Sequence, residues 1–346
     1  MTTEPGTLPP LIGESSSFLG MLEAVSRLAP LDRPVLVIGE RGTGKELVAS
    51  RLHFLSRRWD KPLIKLNCAA LAESLLESEL FGHESGAFTG AMRRRIGRFE
   101  LARGGSLFLD EIATSSAAVQ EKLLRAVEYG EFERVGGNET VRADVRVIGA
   151  TNADLPALAE SGDFRADLLD RLAFDVVTLP PLRARPEDIL ILAEHFAIGM
   201  SRQLGRQYFA GFTPTARSRL QDYSWPGNVR ELKNVVERSV YRTTDPEANL
   251  GEIVFDPFAS PYRPARSACT MIPDSIGKAS FDEQVRVFER TLLEAALRHA
   301  RFNRKRAAAD LGLGYHQFRR HLQRLGLTAH EDESPDISDE ASRLQR

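Results

Sequence analysis

The sequence predicts an α/β core built around a parallel sheet, followed by a small helical domain and a C-terminal all-α module. Three observations support this fold class. Short apolar runs alternate with amphipathic stretches over about residues 11–180, and helical periodicity without a strand signal covers about 181–250. Helical patterns then resume after a proline-rich segment. With 346 residues, the chain has room for two or three such domains.

The core is predicted from five apolar runs of three or four residues. Runs of this length that are separated by helices are typical of parallel strands buried on both faces of a sheet. Apolar residues recur every four positions over 116–129, which predicts a helix. Gly136 and Gly137 lie between two extended stretches and predict a hairpin. The five runs are 35–38, 63–66, 107–109, 145–148 and 174–177.

The rest of the chain divides where the composition changes. Residues 1–10 are expected to form a short extension, and residues 251–279 read as a proline-rich linker. A capping-box spacing that begins at Ser280 opens the predicted C-terminal module over 280–328. Residues 329–346 are acidic with few apolar side chains, so we expect a disordered tail there.

Composition excludes several classes of protein. The chain has 2 cysteines, too few for a disulfide framework or a multi-cysteine metal site. It has no run of about 18 apolar residues for a membrane-spanning helix, and its first ten residues lack the pattern of a secretion signal. We therefore expect a reduced, cytoplasmic protein without membrane insertion.

A phosphate-binding loop follows the first predicted strand and precedes a helix. In its GxxxxGK pattern, the glycines let backbone N–H groups converge on phosphate oxygens, and Lys45 adds a positive charge. Glu46 stands where a serine or threonine hydroxyl commonly binds Mg²⁺. A glycine-rich turn without a ligand is the alternative, but the flanking strand and helix argue against it. The predicted nucleotide contacts here are Gly39, Glu40, Arg41, Gly42, Thr43, Gly44, Lys45 and Glu46.

Two carboxylates follow the third apolar run and suggest hydrolysis. Asp110 is suited to hold Mg²⁺, directly or through water, and Glu111 is suited to orient and polarise the attacking water. Asn67 ends the second run. It is either a partner that holds Glu111 away from water or an ordinary turn residue.

Further polar residues are candidates to complete this site. Thr151 and Asn152 end the fourth run, where they could sense the outer phosphate. Arg165 and Arg171 lie beside acidic residues. They form either intrachain ion pairs or an arginine finger that completes a neighbouring subunit's site. Arg230, in the stretch WPGNVREL, is placed to reach the nucleotide from the helical domain or to remain an ordinary surface arginine.

The stretch Gly86–Ala91, GAFTGA, interrupts helical sequence. Glycine costs about 1 kcal/mol inside a helix, so the chain is expected to turn here. Phe88 lies between the glycines. The ring either reaches outward to a partner or folds back onto the body of the protein.

The C-terminal module has the spacing of a helix-turn-helix, with helices over 303–311 and 315–325. Residues 298–324 carry eight basic residues against one acidic residue, a net charge of +7. This charge suggests a surface for a polyanionic partner, and a solvated charged helix is the alternative that composition leaves open. The expected major-groove contacts are Tyr315, His316, Gln317, Arg319 and Arg320, and the expected phosphate contacts are Arg304 and Lys305.

These motifs resemble the central AAA+ domain of bacterial enhancer-binding proteins, which activate transcription by sigma-54 RNA polymerase. The resemblance covers about residues 11–241, and its GAFTGA element is highly specific to that family. The C-terminal module resembles the Fis-type domain of the same family. The motifs that carry the resemblance are GERGTGKE, ELFGHESGAFTGA, SLFLDEI, GATNADL, FRADLLDRL and WPGNVRELKN.

The resemblance implies a three-layer P-loop NTPase core with a helical lid, which hydrolyses ATP with Mg²⁺. It also implies a homo-oligomer that ranges from a dimer to a hexameric ring. It also implies enhancer DNA and sigma-54 RNA polymerase as partners. The family itself carries glutamate after the P-loop lysine, so Glu46 does not argue against an active site. The implied sigma-54 contacts are Gly86, Ala87, Phe88, Thr89, Gly90 and Ala91. The other implied roles are the Walker B pair for Asp110 and Glu111, the switch for Asn67, sensor I for Thr151 and Asn152, the finger for Arg165 and Arg171, and sensor II for Arg230.

Within the family, two features resemble the branch that activates phage shock genes. The extension before the core is too short for a receiver or ligand-sensing domain, and the sequence around Trp59 is similar. That branch is held in check by a separate inhibitor, phage shock protein A. Trp59 is then the expected inhibitor contact, and local capping of a helix end is the alternative. Phe288 and Leu292 are expected to form a dimer face.

Two other functions remain as alternatives. The first is a DNA-binding repressor that holds nucleotide only as a structural ligand, and the second is a AAA+ remodeller of another protein or nucleic-acid complex. The intact pair of Asp110 and Glu111 argues against the first. The complete GAFTGA stretch argues against the second.

Overall fold

The computed structural model describes residues 10–88, 90–243, 245, 247–260, 262, 281–300 and 303–326. The chain forms two compact units, Met1–Ala259 and Ser260–Arg346. The expected N-terminal extension up to residue 9, most of the expected linker and the expected acidic tail lie outside the described residues.

The strands of the first unit follow the five predicted apolar runs, and short hairpin strands are added between them. The strands are β1 Val35–Ile38, β2 Leu63–Asn67, β3 Gly82–His83, β4 Arg95–Ile96, β5 Ser106–Asp110, β6 Glu131–Glu133, β7 Thr140–Arg142, β8 Arg146–Thr151 and β9 Val176–Thr178. Five of them form one sheet in the order β2-β5-β8-β1-β9, with every neighbouring pair parallel. The carboxyl ends of β1, β2, β5 and β8 therefore meet at one edge.

The helices are α1 Ser16–Leu28, α2 Lys45–Phe54, α3 Glu73–Phe81, α4 Arg98–Leu101, α5 Ala117–Tyr129, α6 Leu155–Ser161, α7 Ala166–Leu172, α8 Pro186–Gln203, α9 Pro214–Asp222, α10 Asn228–Arg242, α11 Phe281–His299, α12 Arg304–Asp310 and α13 Tyr315–Arg324. Side chains that alternate along a strand face opposite sides of the sheet. Val35 and Val37 pack against α1 and α2 on one face, whereas Leu36 packs into the cluster formed with α3, α5 and α7 on the other. The three-layer α/β core is thereby confirmed.

A small helical lid, α8 to α10, completes the first unit. Trp225 is fully buried in its core, and its indole N–H donates to the Leu220 carbonyl at 2.8 Å. The packing extends beyond the boundary expected at residue 250, because Ile253 is buried in the same core and the Phe255 ring stacks on Tyr223 with centroids 4.6 Å apart.

Two short hairpins lie outside the five-stranded sheet. The β6–β7 pair is antiparallel, as the paired glycines predicted. The β3–β4 pair closes the base of the GAFTGA stretch, which the sequence had indicated only as a turn within helical sequence. Two residues per strand are too few to show a period of two, so this pair left no pattern to detect.

The second unit is a helix-turn-helix preceded by α11. Ala308, Phe318 and Leu322 are buried between α12 and α13, at the positions predicted for the inner faces. Gly312 has a φ of 65° and makes the turn between these two helices. Leu293 and Ala296 of α11 pack onto the same core.

Candidate nucleotide site and partner surfaces

The phosphate-binding loop lies between the end of β1 and the start of α2, as predicted. Gly42 and Gly44 have φ values of 81° and 102°, a region that side chains rarely adopt. A Cβ on Gly42 would lie 2.3 Å from the carbonyl oxygen of Gly227 in the lid. Gly42 is therefore required both by backbone conformation and by close approach of the lid.

Lys45 is held inside this loop at the start of α2. Its side chain is buried, and its Nζ donates to the Gly39 carbonyl at 2.9 Å. The same Nζ lies 3.9 Å from Oε1 of Glu111. The Thr43 hydroxyl donates to the Glu40 carbonyl at 2.8 Å, which tightens the turn. The structure thus brings the loop lysine and the predicted catalytic carboxylate together.

Asp110 and Glu111 stand at the carboxyl end of β5. Glu111 has φ 52° and ψ 45°, a left-handed conformation that is uncommon for a residue other than glycine and concentrates at functional sites. Its backbone N–H donates to Oδ1 of Asp110 at 3.0 Å. This turn directs the Glu111 carboxylate towards Lys45.

The residues present fit a magnesium ion bound mainly through phosphate. Asp110 is only partly buried at the strand end, so its carboxylate is accessible as a hard oxygen ligand. In the described part of the chain, no cluster of three or more histidine, cysteine, aspartate or glutamate side chains could hold a metal. Mg²⁺ commonly takes one or two carboxylates together with substrate phosphates, which matches this donor set.

Asn67 lies beside Asp110 in the β2–β5 register. Its Oδ1 accepts a hydrogen bond from the Ala69 N–H at 2.9 Å. Among the described hydrogen bonds, none joins Asn67 to Glu111. The structure therefore shows Asn67 as the capping residue of a turn, one of the two alternatives that the sequence left open, within the strand pair that carries Asp110.

Thr151 and Asn152 end β8, next to β1. Thr151 is buried, its Oγ1 accepts from the Ala153 N–H at 3.0 Å, and its carbonyl accepts from the Gly39 N–H at 3.2 Å. Asn152 is exposed. Thr151 is thus tied to the first residue of the phosphate loop, and a change at the loop would reach it through one hydrogen bond.

The lid contacts the phosphate loop through the first turn of α10. The Arg230 N–H donates to the Gly42 carbonyl at 3.2 Å, so the predicted sensor residue lies at the loop. Asn228, which has a φ of 51° and is fully buried, donates from Nδ2 to the Glu40 carboxylate at 3.0 Å and to the Arg41 carbonyl at 3.1 Å.

Glu40 also forms an ion pair with Arg183, a lid residue just before α8 that the sequence did not indicate. Arg183 donates from Nη1 to Oε2 at 2.8 Å and from Nη2 to Oε1 at 2.5 Å. The Arg183 hydrogen bonds, followed by that of Asn228, lower the pKa of Glu40 from 4.5 to about 2. Arg183 and Glu40 are 143 residues apart in the chain, so only the fold reveals the pair.

The two candidate finger residues lie at the two ends of α7, Arg165 directly before its first residue and Arg171 in its last turn. Arg165 pairs with Asp167 at 2.7 Å, and Arg171 pairs with Glu128 at 2.6 Å. Both guanidinium groups are exposed, and Arg165 also lines a groove of about 700 Å³ between α5 and the β6–β7 hairpin. Exposed ion pairs contribute little stability, so either arginine can exchange its partner for another anion at low cost.

The GAFTGA loop is fastened at its base and open at its tip. The Gly86 N–H donates to the Ala91 carbonyl at 2.7 Å, and Gly86 and Gly90 have φ values of 83° and 104°. Phe88 is 41% exposed, and its ring packs edge-on against His83 with centroids 5.0 Å apart. The Phe88 ring is therefore partly packed onto the body of the protein and partly exposed to a partner, so it combines the two arrangements that the sequence left open. Thr89 lies outside the described residues.

Trp59 lies in the turn that follows α2 and is 63% exposed. It does not cap the helix, because the C-cap position is Leu55. The neighbouring Arg58 fastens the turn to Asp32 and Asp144 by ion pairs. An exposed indole on a fixed turn is suited to contact a partner protein.

In the second unit, one face of α13 is solvent-exposed and polar. The predicted DNA contacts on this helix are all exposed, and Lys305 on α12 is exposed as well, whereas Arg304 is partly buried. Phe288 and Leu292 are partly exposed on α11, where a dimer face was expected. Glu289 on α11 forms an ion pair with Arg324 and a hydrogen bond with His321. The exposed α13 residues are Tyr315, His316, Gln317, Arg319 and Arg320.

Known families match each part of this arrangement. The sigma-54 interaction domain matches residues 11–178, the AAA+ ATPase lid domain matches 183–256, and the Fis family of bacterial regulatory proteins matches 284–325. The fold and site thus define a AAA+ ATP-binding domain joined to a Fis-type DNA-binding helix-turn-helix. The chain belongs to the family of sigma-54-dependent transcriptional activators.

Individual relatives support this assignment. The chain is 58% identical to the Psp operon transcriptional activator of Escherichia coli K12, over 91% of this chain and 97% of that protein. It is 42% identical to the regulatory protein AtoC of the same organism, over 92% and 68%. The structure of NtrX from Brucella abortus in complex with ATP is 34% identical with a TM-score of 0.65, over 92% of this chain and 70% of that one. Among the described helices, none combines the length and hydropathy that a bilayer crossing requires.

Proposed function

We propose that this activator uses ATP hydrolysis to convert the closed complex of sigma-54 RNA polymerase at a promoter into the open complex, and that phage shock genes are its targets. One observation carries the proposal. The same compact unit holds Glu111 beside Lys45 and presents Phe88 at the tip of a hairpin. Identity to an activator of the Psp operon supports the choice of target genes.

Each polar residue of the site has a role in hydrolysis. Lys45 attracts the outer phosphates, and Glu111 accepts a hydrogen bond from water and orients it for attack. Asp110 would hold Mg²⁺, directly or through water, and the bound ion would neutralise phosphate charge. Arg165 or Arg171 from a neighbouring subunit stabilises negative charge that develops during phosphoryl transfer.

Coupling to the polymerase requires the GAFTGA loop to differ in position between ATP and ADP states, because equal positions would transmit no work. The loop has a fixed base and an exposed aromatic tip. We therefore assign the contact with sigma-54 to Phe88 and Thr89. The glycines on either side allow the tip to change conformation at little cost.

The assembly follows from the same assignment. An arginine finger acts in trans, so activity requires a ring of subunits, which we propose to be a hexamer. Enhancer DNA bound by α13 brings subunits together near the promoter. The α11 face that includes Phe288 and Leu292 forms the contact between two chains. Trp59 is the proposed contact for an inhibitor that resembles phage shock protein A.

In vitro transcription from a sigma-54 promoter tests this function. We expect open complexes with ATP and none with a non-hydrolysable analogue. Thr89→Ala should keep most ATPase activity and abolish opening. Equal opening with both nucleotides would contradict the motor mechanism, and opening by the Thr89 variant would contradict the role of the loop. Addition of phage shock protein A should inhibit the wild-type chain but not Trp59→Ala.

A further inference from the structure

A carboxylate lies within the loop that is assigned to bind phosphate. Glu40 is the second residue of that loop, one position after Gly39. A negative charge there repels a triphosphate. The pKa of Glu40 is lowered to about 2, so protonation does not remove this charge at neutral pH. Another group must therefore neutralise the negative charge of Glu40.

Two residues of the lid supply that compensation. Arg183 forms a bidentate pair with both carboxylate oxygens, and Asn228 donates a further hydrogen bond to Oε2. Bidentate pairing fixes the orientation of both partners as well as their distance. The charge of Glu40 is therefore balanced by a group that belongs to the lid and not to the phosphate loop.

The packing of the lid determines where Arg183 and Asn228 stand. Asn228 is fully buried, and its Oδ1 accepts from the Leu182 N–H at 2.8 Å, directly before Arg183. The close approach of Gly227 to Gly42 fixes the separation of lid and loop. Because the same asparagine contacts the loop and the chain that carries Arg183, the pair forms only when the lid is docked.

We propose that Arg183 and Asn228 are positioning residues that neutralise Glu40 and so make ATP affinity depend on a docked lid. This proposal rests on the proposed ATPase function. Stability alone does not explain the pair, because both side chains are about half exposed and exposed ion pairs contribute little to stability. The field at the phosphate site is the property that Arg183 controls.

The test measures ATP binding to the full chain by calorimetry and ATP hydrolysis at steady state. Arg183→Ala exposes the charge of Glu40, so the Kd for ATP should rise about tenfold, given screened repulsion over a few ångströms. The loss should fall mainly on KM and less on kcat, because Lys45 and Glu111 are unchanged. Addition of Glu40→Gln to this variant should restore most of the lost affinity, since the repelling charge is gone.

Two further variants keep the test decisive. Arg217→Ala removes a lid ion pair of similar exposure, Arg217 with Glu194 at 3.2 Å, and should leave the Kd unchanged. Arg183→Lys keeps the charge without the bidentate fork, so its Kd should lie between those of wild type and Arg183→Ala. This variant provides the same comparison if the alanine variant does not fold.

The outcomes separate the two proposals. An unchanged Kd for Arg183→Ala, or a raised Kd that Glu40→Gln does not relieve, would overturn the positioning role. A purely structural contribution would lower the unfolding temperature in both the single and the double variant without restoring affinity. If the wild-type chain neither binds nor hydrolyses ATP, the ATPase function itself fails.

Discussion

The phosphate loop and the GAFTGA loop both depend on glycine, but for different reasons. Gly42 in the phosphate loop has a positive φ, and an added Cβ would also meet the lid carbonyl of Gly227 at 2.3 Å. Gly86 and Gly90 have positive φ as well, yet an added Cβ would meet nothing within 4 Å. Packing against the lid therefore restricts Gly42, whereas only backbone conformation restricts Gly86 and Gly90.

This difference corresponds to the two tasks we assign. The phosphate loop is fixed by β8, by the lid and by its own lysine, so it can hold a ligand in one geometry. The GAFTGA loop is fixed at the β3–β4 base and leaves Phe88 partly exposed. A motor needs one part that stays in register with the nucleotide and another that can change position.

The largest expected effect tests whether the fixed site performs chemistry. Glu111→Gln removes the group that activates water, so ATP turnover should fall by about 10²- to 10⁴-fold while ATP still binds. A coupled ATPase assay and calorimetry measure the two quantities. Glu194→Gln, which removes a lid surface carboxylate, is the control and should retain turnover. Full turnover by the Glu111 variant would favour a repressor that uses nucleotide as a structural ligand.

Two glycine-to-alanine variants, one in each loop, test this difference between the loops directly. Gly42→Ala combines a left-handed alanine with a clash against the lid, so we expect a loss of about 2–4 kcal/mol in the free energy of unfolding and weakened ATP binding. Gly86→Ala carries the conformational cost alone, about 1 kcal/mol. Urea unfolding of both variants measures the difference. Equal losses would show that the lid approach does not restrict Gly42.

A third expectation concerns the aromatic tip. Phe88→Ala should cost less than about 1 kcal/mol of stability, because the ring is 41% exposed and packs edge-on against His83. Promoter opening should fall at least tenfold while ATPase activity changes little. Phe99→Ala is the contrasting variant, since that ring is 1% exposed and its loss should cost about 3–5 kcal/mol. Strong destabilisation by Phe88→Ala would place the ring in the core.

The parts that the sequence predicted are those encoded locally. Five buried strands appear as apolar runs because parallel strands are covered on both faces. The phosphate loop, Asp110 and Glu111 follow such runs directly, so their meeting at one sheet edge could be deduced. Ala308 and Phe318 were placed by helical spacing alone, and the structure buries both.

What the sequence missed depends on distant contacts or on very short elements. Arg183 and Glu40 come together through the docking of the lid, which no local pattern encodes. The β3–β4 strands have two residues each. The lid core continues to Phe255 because its ring stacks on Tyr223 and contacts the Trp225 ring, although the surrounding prolines indicated a linker. Whether Asn67 caps a turn or holds Glu111 depends on side-chain geometry that periodicity does not determine.

The smallest expected effect concerns the pH dependence of the lid contact. The pKa of Glu40 is about 2 in the folded chain against an ordinary value of 4.5. A lowered carboxyl pKa stabilises the folded state above the unfolded value, and this contribution is lost as the pH falls from about 4.5 towards 2. Because the Glu40 and Arg183 side chains are about half exposed, solvent screening keeps this contribution to stability small.

Urea unfolding of the wild type and Glu40→Gln at several pH values measures this contribution, since other carboxyl groups titrate alike in both chains. The wild type should be more stable at pH 7, and the gap should narrow as the pH falls below 4.5. Arg217→Ala removes the ion pair of Arg217 with Glu194, which is not part of the phosphate loop. This control variant should not change the Kd for ATP at pH 7. A gap that stays constant down to pH 3 would mean that Glu40 is not held ionised by Arg183, and the lid would then be docked by packing at Gly227 and Asn228 alone.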